Sequence, residues 1–163
     1  MFSNEQINKF QSEETPFYYY DLSLLSATLK ACKSASDKYG FHVHYALKAN
    51  VDKRVLETIK SYNIGADCVS GGEVKRALDV GFNSEQIVFA GVGKSDAEIN
   101  FGLDNDIFCF NVESIQELEV INELAAKKGK TAQVALRINP NVNAYTHKYI
   151  TTLAPSPWRK NSL

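Results

Sequence analysis

Several protein classes are excluded by what this 163-residue sequence lacks. It has three cysteines, Cys32, Cys68 and Cys109, an odd number with no Cys-x-x-Cys spacing, which argues against a disulfide framework or a thiolate zinc site. Buried free thiols are the expectation, and no metal is expected. Charge of one sign is also missing: 18 Lys and Arg against 19 Asp and Glu leave a formal net charge of -1. That balance offers no electrostatic attraction to nucleic acid or to an anionic membrane. No apolar run approaches the roughly 20 residues that span a bilayer, and residues 1–9 are polar rather than charged and then apolar. A cytoplasmic protein without a membrane partner is expected. Proline is scarce, and two of the four prolines, Pro155 and Pro157, fall with the single tryptophan, Trp158, in residues 153–163.

The sequence does hold enough apolar residues, 44% of the chain, for the core of one domain. Five short runs rich in β-branched and aromatic residues read as strands: 41–47, 64–69, 86–90, 107–112 and 132–138. Their starts lie roughly 21 to 25 residues apart. Between them, residues 51–62, 73–80, 96–103 and 115–127 place apolar side chains at three- and four-residue spacing, the period of a helix. A βα repeat with parallel strands and right-handed crossovers follows. Ser70 with Glu73, Ser95 with Glu98, and Ser114 with Glu117 have the spacing of capping boxes at three of the helix starts. An earlier helix is expected over 23–38, after an extended piece, 15–20, that holds Pro16 and three consecutive tyrosines. Two architectures fit a parallel βα repeat, an open doubly wound sheet and a closed eight-stranded barrel. Five units complete only the first, so a barrel here is unfinished.

Chemistry is sparse and localised. Lys48 follows the first strand in Tyr45-Ala46-Leu47-Lys48-Ala49-Asn50. Strand alternation puts His42, His44, Ala46 and Lys48 on one face, and in a barrel that face delivers its last side chain to the carboxyl-end mouth. A lysine desolvated there has a free amine able to form a Schiff base. Pattern alone still favours an ordinary solvated lysine. Gly91-Val92-Gly93-Lys94-Ser95 follows a strand and opens a helix, but Val88 replaces the first glycine of a Walker loop and Asp96 the third of a dinucleotide fingerprint. A tight turn and helix cap is the better reading. His42 and His44 share a strand face without a third metal ligand nearby, so they read as core or barrel-interior histidines. Asp67 and Arg137 stand at or near the ends of apolar strands, where a charge is costly unless paired, and are functional candidates on that ground.

Four segments occur in order: Thr15-Pro16-Phe17-Tyr18-Tyr19-Tyr20-Asp21, Tyr45-Ala46-Leu47-Lys48-Ala49-Asn50, Gly65-Ala66-Asp67-Cys68-Val69-Ser70-Gly71-Gly72-Glu73 and Leu136-Arg137-Ile138-Asn139-Pro140. Together they closely resemble the diaminopimelate branch of the alanine-racemase-like, pyridoxal-phosphate-dependent decarboxylases, over about residues 13–152. Ornithine- and arginine-type enzymes are more distant alternatives. The resemblance implies pyridoxal 5'-phosphate as cofactor, carried by Lys48, with Asp67 beside it and Arg137 approaching its ring. It implies decarboxylation of the amino acid meso-2,6-diaminopimelate to L-lysine, by a full-length parent that is a homodimer.

The resemblance also implies an α/β fold: an incomplete (β/α)8 TIM-type barrel of about five parallel βα units, without the rest of the barrel or the C-terminal β-domain. The expected organisation is an extended segment and helix over 1–40, a partial cofactor-binding barrel over 41–152, and an aberrant tail over 153–163. Leu153 stands where the family pattern has a glycine after Thr152, and the family's cofactor-stacking histidine, glycine-rich phosphate loop and pyridine-nitrogen acid have no counterpart in the sequence. The expectation for residues 1–163 alone is an inactive fragment, with a non-enzymatic remnant as the alternative.

Overall fold

The computed structural model describes residues 2–138. The barrel region expected over 139–152, including the motif continuation through Pro140, and the tail 153–163 lie outside the described residues. The chain begins with α1 (Asn4–Gln11) and α2 (Leu22–Lys38). Four βα units and a fifth strand follow: β1 (His44–Ala46), α3 (Lys53–Ser61), β2 (Gly65–Cys68), α4 (Gly71–Val80), β3 (Ile87–Phe89), α5 (Asp96–Asp104), β4 (Cys109–Val112), α6 (Ile115–Lys127) and β5 (Val134–Leu136).

All pairings are parallel, and the strands lie in the order β1-β2-β3-β4-β5. A doubly wound sheet reverses its strand order partway, whereas a barrel wall runs in sequence order. The sheet is therefore an arc of a (β/α)8 barrel.

Strand register sorts the side chains. Ala46 pairs with Asp67, Asp67 with Val88, and Val88 with Cys109, so these four share one face, which Asn111 and Arg137 continue by alternation. The opposite face carries Ala66, Cys68, Ile87, Phe89, Phe110 and Val112, all buried. Helices cover this second face: Leu56 and Ile59 from α3, Val74 and Ala77 from α4, Ile99 and Leu103 from α5, and Ile121 and Ala125 from α6 join the same core. Each large side chain buried there contributes about 1.5–3 kcal/mol, and this makes the helix-facing side the stabilising one. The first face is the barrel interior, where Ala46, Asp67, Val88 and Asn111 are half-buried, Cys109 is buried and Arg137 is exposed.

Helix starts follow their serines, with a refinement. Ser95 and Glu98 form a complete capping box. Ser70 and Ser114 each accept from the backbone amide three residues on, but Glu73 and Glu117 reach one residue further back, to the amides of Val69 and Glu113 at 2.8 Å. These carboxylates hold the strand exits rather than the caps.

Other expectations need correction. The strands are shorter than the apolar runs, because an apolar side chain does not require its backbone to be paired in the ladder. Phe41 and Ile138, 66% and 68% exposed, extend past the paired residues. The α1 helix is an addition to the sequence reading, since it buries no residue and shows only a capping box from Ser3 and Gln6. Of the three free thiols, Cys68 and Cys109 are buried, but Cys32 on α2 is half-exposed.

Candidate active site at the carboxyl end of the sheet

Lys48 reaches the carboxyl end by a turn and not by strand alternation. β1 stops at Ala46, and residues 47–49 form a single 3-10 turn closed by the Asn50 amide donating to the Leu47 carbonyl at 3.1 Å. Leu47 is fully buried and pins the turn, and the Asn50 side chain accepts from the Asp52 amide at 2.8 Å to start α3. Lys48 is left exposed, and its ammonium has no hydrogen-bond partner among the described residues. The desolvation expected from alternation is thus not supplied by residues 2–138, because the turn lifts the side chain off the pleat.

Asp67 is the penultimate residue of β2, on the interior face between Ala46 and Val88. Its Oδ1 is buried without a hydrogen-bond partner among the described residues. A buried carboxylate oxygen without a donor costs free energy, so this atom is an acceptor suited to an N–H or O–H group.

Arg137 follows β5 and continues its ladder: its amide donates to the Val112 carbonyl at 2.9 Å. Its guanidinium pairs with Glu113 Oε1 at 3.1 Å, which answers the cost of a charge beside an apolar strand. Lys48, Asp67 and Arg137 thus all stand at the carboxyl ends of their strands. That is the end of a (β/α)8 barrel at which active sites are built.

The two other motifs resolve differently. Lys94 is not part of a phosphate cradle, because its Nζ donates to the Gly91 carbonyl at 2.8 Å, the Asn111 carbonyl at 2.9 Å and Glu117 Oε1 at 2.6 Å. An ammonium has three hydrogens, and all three are committed. The reading of this segment as a turn and cap agrees with that geometry, though the Lys94–Glu117 pair, 23 residues apart, has no local sequence signal.

His44 lies at the amino end of the interior face, opposite the candidate site. Its ring occupies the space a Gly65 side chain would fill and stacks near Phe108, with centroids 6.3 Å apart. Burial pushes its imidazole below the ordinary histidine range, opposed in part by the Asp67 charge. His42 is exposed and outside the strand, so it is not the core residue expected. No cluster of three metal-ligating side chains occurs among the described residues.

Tight contacts elsewhere at this end explain its glycines. Gly91 takes a φ of +107°, and a Cβ there would sit 2.9 Å from the Val69 carbonyl oxygen. Glu98 links two helix starts: it accepts from the Gly71 amide at 2.7 Å and from the Ser95 amide at 3.0 Å. The Ser95 and Gly71 amides hold its carboxyl below the usual glutamate range.

A family described as pyridoxal-dependent decarboxylase, pyridoxal binding domain, matches residues 25–156. Diaminopimelate decarboxylase of Bacteroides thetaiotaomicron is 58% identical over 147 residues, covering 90% of this chain and 38% of that protein. The crystal structure of Helicobacter pylori diaminopimelate decarboxylase complexed with L-lysine superposes with a TM-score of 0.79 at 41% identity, covering 91% of this chain and 38% of that one. Arginine decarboxylase of Paramecium bursaria Chlorella virus has a TM-score of 0.69 at 24% identity, covering 85% of this chain and 36% of that one, a likeness of fold alone. The chain thus spans little more than a third of the length of these relatives.

Proposed function

Because the chain belongs to the pyridoxal-dependent decarboxylases, we propose that it supplies the lysine-bearing part of an enzyme that converts meso-2,6-diaminopimelate to L-lysine. The observation that carries this reading is the presence, at one end of the sheet, of an exposed amine on Lys48 and a buried oxygen on Asp67, both without a hydrogen-bond partner among the described residues. Both fit pyridoxal 5'-phosphate, whose aldehyde takes an amine and whose ring carries polar groups. When bound, that group supplies an electron sink for the charge left by departing carbon dioxide.

The protein's own residues then have separable roles. Lys48 Nζ would be the nucleophile and attachment point, and it has no hydrogen-bond partner among the described residues. Asp67 Oδ1 accepts a hydrogen bond from the bound group and fixes its orientation. Arg137, turned by Glu113, brings a permanent positive charge to the ring side of the site. Diaminopimelate is favoured over ornithine or arginine as substrate by the 58% identity to the Bacteroides enzyme.

A chimera tests this reading. Residues 1–138 of this chain replace the matching part of the Bacteroides thetaiotaomicron enzyme, and carbon dioxide release from meso-diaminopimelate is measured with pyridoxal phosphate present. We expect kcat/KM within about tenfold of the parent enzyme, lost on Lys48→Ala. A folded chimera without activity contradicts the proposal.

A further inference from the structure

Lys94 is outside the set Lys48, Asp67 and Arg137, yet its side chain is only 1% exposed, while every other ion-paired lysine described is at least 28% exposed. Exposed pairs such as Lys75 with Asp79 join successive turns of one helix and steer nothing beyond it. The Lys94 contacts instead join three elements. Its ammonium is fixed by the Gly91 carbonyl after β3 and the Asn111 carbonyl of β4, and it holds Glu117 Oε1 at the start of α6. With one oxygen so held, Glu117 turns the other, Oε2, to the Glu113 amide at 2.8 Å. Glu113 in turn presents its own carboxylate to Arg137 at 3.1 Å. Both glutamate side chains are 13% exposed, so water competes weakly for the Lys94–Glu117 contact, while the Arg137 side chain, 49% exposed, meets Glu113 at the edge of solvent.

We propose that Lys94 is a positioning residue, which through Glu117 and Glu113 sets where the Arg137 guanidinium stands at the mouth of the barrel. The physical reason lies in the order of donors and acceptors along the relay: ammonium to the Glu117 carboxylate, Glu113 amide to that same carboxylate, and guanidinium to the Glu113 carboxylate. A carboxylate gripped by a buried ammonium cannot rotate, so the amide it accepts is held, and the residue bearing that amide keeps its side chain aimed. Without Lys94, two carbonyls and one carboxylate oxygen lose their donor together, and Glu117 is free to turn. The importance of Arg137 to the site rests on the function proposed above, whereas the relay itself does not.

The test uses the complete chain, isotope-labelled, with NMR of the Arg137 Nε–Hε group and of amide exchange. In Lys94→Met, exchange at the Glu113 amide is expected to rise at least tenfold, and the Arg137 resonance to move to the position it has in Glu113→Gln. If Lys94→Met does not fold, Glu117→Gln carries the same expectation. An Arg137 resonance that keeps its wild-type position in a folded variant overturns the proposal, even if exchange rises generally, because the residue then serves stability alone. Pyridoxal phosphate trapped by borohydride on a lysine other than Lys48, with these NMR changes present, overturns the functional reading and supports the positioning one.

Discussion

At the scale of single residues, the carboxyl end of the sheet is organised by glutamates that accept from backbone amides. Glu73, Glu98 and Glu117 each secure an amide at a strand exit or helix start, which fixes loops that carry little apolar surface of their own. Glu98 is the clearest case for a pH test. Its carboxyl is held low in the folded protein by the Ser95 and Gly71 amides, so folding favours the ionised form. The stability it contributes is fully present above the ordinary glutamate range and is lost as pH falls through the lower folded value. In urea titrations, Glu98→Gln is expected to be less stable than wild type at pH 7, with the gap closing as the solution is acidified below the ordinary glutamate range. A gap that does not change with pH would show that the charge at Glu98 adds nothing.

At the scale of elements, features set by neighbouring residues are legible in the sequence, and features set by distant partners are not. The helix over 115–127 has the bounds its sequence predicts, because Ser114 caps it and its buried positions, Ile121 and Ala125, repeat at four residues. The five strands are legible for the same reason, as apolar runs between caps. Their lengths are not, since Phe41 and Ile138 are apolar without being paired. The α1 helix escapes such a reading because it is only 8 residues long, polar on average, and buries none of them. Strand alternation puts Lys48 at the correct end of β1 by the wrong device, a pleat in place of a 3-10 turn.

The turn after β3 allows a prediction at this scale. Gly91 has a positive φ and a close carbonyl neighbour, whereas a side-chain carbon added at Gly93, two residues later, would meet nothing within 4 Å on a backbone that is not left-handed. Gly91→Ala is therefore expected to lower unfolding free energy by about 1–3 kcal/mol, with Gly93→Ala close to neutral. Equal effects in chemical denaturation would remove the strain argument for this turn.

At the scale of the whole molecule, an ordered arc of five parallel strands divides its labour between two faces. The helix-facing side holds the large buried side chains, and the interior face is left with small or polar ones, Ala46, Asp67, Val88, Cys109 and Asn111. The interior face can therefore carry the Asp67 oxygen, buried without a partner among the described residues, outside the apolar core. Under the proposed function Lys48 is the reactive group, distinguished from Lys94 by its exposure and by an ammonium without a hydrogen-bond partner among the described residues. The direct measurement is borohydride reduction of the protein incubated with pyridoxal phosphate, followed by peptide mapping. The pyridoxyl group is expected on Lys48 and absent in Lys48→Ala; its recovery on Lys53 or Lys94, or undiminished total labelling in Lys48→Ala, would contradict the account.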